Sequence, residues 1–195
     1  MAMTPTDAYL DALSDWQQLL PSLSRLSTDV DALGRAMMDC WARGGKVMFA
    51  GNGGSCADAM HFAEELSVRF HRNRRALAAL ALTDASAMSC CGNDFGFDQI
   101  FSRQIEALGK SGDLFVGIST SGNSVNIIRA VDACRTQGVH VALLLGKDGG
   151  SLKARGDINL IVPSPLTHRI QEVHKLLFHA LCIWIDEQVL SEAVG

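Results

Sequence analysis

Residues 113–124 read DLFVGISTSGNS, an apolar run that passes without a spacer into a loop carrying Gly122 and four hydroxyl side chains, Ser119, Thr120, Ser121 and Ser124. The next residues, VNIIRAVDACRTQG, are apolar at helical spacing. The order is therefore strand, loop, helix. It occurs once before, where KVMFA (46–50) leads through GNGGS into a helical stretch from Cys56 to Phe70. Further apolar runs, ALAALAL (76–82), VHVALLL (139–145) and INLIVP (158–163), are spaced by helical segments. Strands alternating with helices predict an α/β architecture whose parallel sheet is covered on both faces. Residues 6–20 and 24–43 are also helical in pattern, with Leu33, Met37, Met38 and Trp41 in phase before a stop at Gly44-Gly45, and a long helix is expected from near Thr167. One domain over 1–195 follows: a helical extension (6–43), a sheet core (46–163) and a C-terminal helix (167–190). Ligands of such sheets bind beyond the carboxyl ends of the strands, where both Gly/Ser loops fall.

Composition excludes several classes of partner. A net charge of −4 gives no general attraction for nucleic acid or an anionic membrane surface. No run approaches the ~18 apolar residues of a membrane span. Six cysteines without C-x-x-C spacing indicate a reducing compartment. With no basic segment followed by an apolar one at the N-terminus, a cytoplasmic location is expected.

The 119–124 loop enters a helix, so backbone N–H groups and the helix dipole converge on a spot that favours an anion. Its hydroxyls can donate to phosphate oxygens, and Gly122 allows close backbone approach. Helix capping alone is the alternative, although a cap uses one hydroxyl and four are present. Neither the nucleotide P-loop pattern nor G-x-G-x-x-G occurs, which favours a sugar phosphate over ATP or NAD. Asn52, Gly53 and Gly54 of the first loop lie beside the same pocket.

His61 and Glu65, at i and i+4, share a helix face and could chelate a metal, share a proton or merely be solvated. The C-terminal helix carries Gln171, Glu172, His174 and His179 in an otherwise apolar segment, and these polar groups need buried partners. Gln171 and His179 are about 12 Å apart along the axis and roughly 80° apart around it. Either both lean toward a ligand between them, or a helix of another subunit completes the pocket; the second is our expectation. Asn93 and Asp94 can cap a helix or contact a sugar hydroxyl.

Taken together, GNGGSCADAMHFAEE, GNDFGFDQIFSRQIEALGKSGDLFVGISTSGNS and RIQEVHKLLFHALC make the chain, from about Gly45 to Gln188, resemble the sugar isomerase (SIS) fold in its phosphoheptose isomerase branch. The resemblance implies a flavodoxin-like parallel sheet flanked by helices and a homotetramer with sites at subunit interfaces. It also implies conversion of sedoheptulose 7-phosphate to D-glycero-D-manno-heptose 7-phosphate for bacterial lipopolysaccharide precursors. Carried over by position, it assigns substrate binding to Asn52, Gly53, Gly54, Glu65, Asn93, Asp94, Ser119, Thr120, Ser121, Ser124 and Gln171. One Zn2+ per subunit falls to His61, Glu65, Gln171 and His179, with Glu65 as general base and His179 as acid. Leu82 and Ala85, at positions many members fill with threonine, and His168, where some have an acid, depart from the pattern at the pocket edge and bear on which sugar is used. Two rivals are a non-catalytic binding module of the type that associates with the replication initiator, and an isomerase or sensor of another sugar phosphate such as arabinose 5-phosphate. The first typically lacks the acid/base pair and reads GNGTS, whereas GNGGS, Glu65 and His179 are all present here.

Overall fold

The structure, a computed structural model, describes residues 2–192. Met1 and residues 193–195 of the expected 1–195 span lie outside the described residues. Five parallel strands, β1 (Val47–Gly51), β2 (Ala79–Ala81), β3 (Leu114–Ser119), β4 (His140–Gly146) and β5 (Ile158–Val162), form one sheet in the order β2-β1-β3-β4-β5. This is the flavodoxin-like order, with its switch point between β1 and β3. Both central strands are buried along their whole length, as their unbroken apolar runs require. The pairing Gly51↔Ile118 brings Asn52 level with Ser119, so the two Gly/Ser loops leave the sheet side by side.

Helices α1 (Pro5–Leu23), α2 (Ser27–Ala42), α3 (Gly54–Ser67), α4 (Ala85–Asp94), α5 (Ser102–Leu108), α6 (Val125–Gln137) and α7 (Thr167–Glu192) cover the sheet. A capping box between Thr4 and Asp7 starts α1. Gly138, left-handed at φ 69°, ends α6. Alternation along β1 sends Phe49 into a core shared with α2, α3 and α7, and Met48 into one shared with α4, α5 and α6.

The expected strand 76–82 is shorter, Ala79–Ala81. It lies at the sheet edge, and Leu77 N–H donates to Leu66 O at the end of α3 instead of entering the ladder.

The packing that matters for the site is that of α3 on α7. Phe62 stacks on Phe178 with centroids 3.9 Å apart, and Phe49 meets both rings edge-on from β1. Burial of each ring is worth about 1.5–3 kcal/mol, and an aromatic pair about 0.5–1.5 kcal/mol more. Each ring directly adjoins a histidine, His61 on α3 and His179 on α7, so this contact fixes how the histidines meet.

Candidate active site

At the switch point the hydroxyl loop closes on itself. Ser119 Oγ lies 2.9 Å from Ser124 Oγ, and Ser119 is buried. Ser124 occupies the N-cap position of α6, yet its side chain makes no cap hydrogen bond to the helix. Its hydroxyl is therefore committed to the loop, which weighs against capping as the reason for these residues. Gly122 has φ +67°, and a Cβ there would fall 1.9 Å from Gly149 O, so no larger residue fits. Asn123 Oδ1 accepts from Ser151 N and Oγ, tying the loop to the β4–β5 connection.

The first loop is built as tightly. Gly53 has φ 55° and ψ −121°, and a Cβ on Gly54 would come within 2.6 Å of Gln171 Nε2. Asn52 and Asn126 exchange two amide hydrogen bonds, 3.0 and 2.9 Å, joining the loops across the switch point. Asn126 is buried in the first turn of α6. Sequence reasoning missed it, because one Asn in an amphipathic helix gives no signal of its partner.

From these loops α3 and α7 run side by side in the same direction. Gln171 Nε2 donates to Ser55 Oγ (3.4 Å), Lys175 Nζ lies 3.3 Å from Asp58 Oδ1, and further along His61 Nε2 is 2.9 Å from His179 Nε2. Glu65 Oε1 stands 3.4 Å from His61 Nε2, and ligand atoms of His61, Glu65 and His179 all fall within 4.8 Å of one another. All three side chains are partly buried. Burial, and next the neighbouring His61, push the His179 imidazole below its ordinary pKa, while Glu65 opposes them.

A buried ion pair holds both helices at this end. Arg74 Nε donates to Asp186 Oδ1 at 3.0 Å, with both side chains 1 % exposed. The same guanidinium donates to Glu65 O (2.7 Å) and Leu66 O (2.8 Å), carbonyls of the last turn of α3, and Asp186 Oδ2 accepts from the backbone N–H groups of His71 and Arg72. The helix bearing Glu65 is thereby pinned to the helix bearing His179. In RFHRNRR nothing in the sequence separates Arg74 from its exposed neighbours, so this clamp too went unread.

Of the four residues expected to bind metal, the fold brings three together within the chain. Gln171 stands two helical turns away against Gly54 and Ser55. Asn93 and Asp94 end α4, exposed and hydrogen-bonded to each other at 2.7 Å. The remaining polar groups of α7 have structural partners. His174 is fully buried with Nε2 3.0 Å from Leu145 O, while Glu172 accepts from Trp16 Nε1 (2.6 Å) and Arg169 (2.7 Å).

Comparison with known proteins accords with this arrangement. Residues 9–146 match the SIS domain model. The chain is 45% identical over 182 residues to the phosphoheptose isomerase of Sodalis glossinidius, covering 93% of each chain. It is 54% identical over 153 residues to that of Paramagnetospirillum magneticum, covering 78% of this chain and 80% of the relative. Among solved structures, the phosphoheptose isomerase of Neisseria gonorrhoeae superposes with a TM-score of 0.89 at 43% identity, over 94% of this chain and all of that one. That of Francisella tularensis gives 0.90 at 37% identity, over 95% and 100%. With identities this high over nearly whole lengths, the chain belongs to the phosphoheptose isomerase family of SIS-domain proteins.

Proposed function

We propose that the protein is an aldose–ketose isomerase that converts sedoheptulose 7-phosphate to D-glycero-D-manno-heptose 7-phosphate, supplying heptose for lipopolysaccharide precursors in the cytoplasm. The observation that carries this reading is the meeting of Glu65 with His61 and His179 on adjoining helices, in a fold whose switch point carries a loop of four hydroxyls. Ser119, Thr120, Ser121 and Ser124 would hold the phosphate, while Glu65, eleven residues or about 16 Å along α3 from Gly54, would act on a substrate whose phosphate sits in the loop of a neighbouring subunit. Asn52, joined to Asn126 at the start of α6, and Gly53, Gly54 and Gln171 beside it would contact the substrate near its phosphate.

The ketose carries its carbonyl at C2. Glu65 removes a proton from C1 as His179 donates one to O2, giving the cis-enediol. Glu65 then returns a proton to C2, and His179 takes the proton of O1, leaving the aldehyde at C1. An imidazole kept neutral by its surroundings has one N–H to give and one lone pair to receive, which suits both halves of the exchange.

The donor set of His61, Glu65 and His179, two imidazole nitrogens and a carboxylate, fits a divalent metal such as zinc. A bound Zn2+ would supply Lewis-acid polarisation of the substrate carbonyl. Coordination and proton abstraction compete for the Glu65 carboxylate, because a cation stabilises its charged form.

We read the chain as a single SIS domain that works as a homotetramer. Tyr9, Leu10, Leu13 and Leu20 leave an exposed apolar face on α1, which supports burial against another subunit. The hold of Gly54 and Ser55 on Gln171, two helical turns from the His61, Glu65 and His179 cluster, also supports completion of the site by a neighbour. No helix among the described residues is long and apolar enough to cross a membrane. The test is to incubate the protein with sedoheptulose 7-phosphate and follow aldose formation by NMR, with Glu65→Gln alongside. Turnover by the wild type and none by the variant is expected; wild-type-like turnover by Glu65→Gln would remove Glu65 from the chemistry.

A further inference from the structure

Against the His179 imidazole lies a ring that has none of the roles above. Phe70 is the single apolar residue of the run RFHRNRR (69–75), which follows the end of α3 at Ser67. Its ring packs on that of His179 with centroids 5.6 Å apart and planes 26° apart, an offset stack. His61 meets the same imidazole nearly edge-on, at 5.2 Å and 74°. Resting on the isomerase reading, we propose that Phe70 is a positioning residue for the reaction, which fixes the plane of the His179 ring and so the direction in which its nitrogens reach the substrate.

Three observations support this. A working imidazole is ordinarily oriented by a hydrogen bond to its second nitrogen, from a carboxylate or a carbonyl. Among the described residues the hydrogen bond of His179 runs through Nε2, to His61, and none reaches Nδ1. The last torsion of the side chain is broad by nature, so packing has to set it. Phe70 is moreover held in frame with His179. The N–H groups of the two residues after it, His71 and Arg72, donate to Asp186 Oδ2 at 3.1 and 2.8 Å, and Arg74 Nε donates to Asp186 Oδ1 at 3.0 Å. Asp186 is seven residues beyond His179 on α7, hence about two turns along on nearly the same face. The helix that carries the imidazole thus also anchors the segment that carries the ring. Finally, Phe70 is only partly buried, at the edge of the core shared by α3 and α7. An aliphatic side chain could cover that edge, but it has no flat face to lay on an imidazole.

Phe70→Leu stays apolar and removes the flat face. We expect this variant to melt near the wild-type temperature, with kcat for sedoheptulose 7-phosphate lowered about tenfold or more and KM changed less than about twofold. Phe70→Tyr, which keeps the face, should retain the wild-type kcat. NMR of protein carrying isotope-labelled histidine reads the stack itself, without substrate. The ring current of Phe70 should place the His179 ring protons upfield, identified by their absence in His179→Gln, and Phe70→Leu should move them downfield. A wild-type kcat in Phe70→Leu overturns the proposal, as does a raised KM with kcat kept, which would make Phe70 a substrate contact. A wild-type spectrum without the upfield signals overturns it whether or not Phe70→Leu folds. Absence of turnover by a wild type that shows those signals would instead remove the isomerase reading, and with it the role of Phe70, while leaving the stack in place.

Discussion

Acidification should destabilise this protein through His174, a residue with no part in the chemistry. Burial in the core between α7 and β4 holds its pKa at about 4, against an ordinary 6.5, and the hydrogen bond to Leu145 O only partly opposes that shift. Because the folded-state pKa is depressed, the unfolded chain binds the proton more readily. The stabilisation is therefore complete above pH 6.5 and is lost as pH falls from 6.5 toward 4. The gap of about 2.5 pH units corresponds to about 3 kcal/mol in full, of which about 2 kcal/mol is lost by pH 5. Urea unfolding of wild type and His174→Gln at pH 7.5 and pH 5 isolates the effect, since Gln can still donate to Leu145 O but does not titrate. The wild type should lose about 2 kcal/mol more than the variant between the two conditions. Equal losses would refute the reasoning, and would mean that the buried imidazole reaches solvent or a second partner when protonated.

Two further perturbations test the parts that hold the site. Asp186→Asn leaves the Arg74 guanidinium buried without its counter-ion and should destabilise the fold by about 3–5 kcal/mol, read as a lowered urea midpoint; an unchanged midpoint would show that the clamp does not hold α3 to α7. Ser119→Ala removes a hydroxyl from the proposed phosphate site and should weaken substrate binding by about 1.5–3 kcal/mol, seen in KM rather than kcat. An unaltered KM would take the phosphate away from this loop.

The fold was legible because its two decisive loops announce themselves: an apolar run buried on both sides must be a central strand, and glycine with hydroxyls directly after it has few other uses. The strand order followed less directly, since β2 is three residues long and its apolar run reads as a longer strand. Legibility of the site stopped at contacts between distant segments. His61 and Glu65 share a helix by spacing alone, but their meeting with His179 depends on Phe62 stacking on Phe178, more than a hundred residues apart in sequence. Arg74, Asp186, Asn126 and Lys175 look like ordinary surface or helix residues until the fold supplies their partners. Gln171 shows the converse: helix geometry already kept it two turns from His179, and its contact with Ser55 gives it a place at the start of α3.

The most direct test of the account is to run the isomerisation of sedoheptulose 7-phosphate in D2O and locate deuterium in the aldose by NMR. Proton transfer through an enediol by Glu65 predicts solvent deuterium at C2 of the product, and neither product nor exchange at C1 with Glu65→Gln. Aldose formed without any deuterium at C2, or exchange that survives in Glu65→Gln, would contradict it.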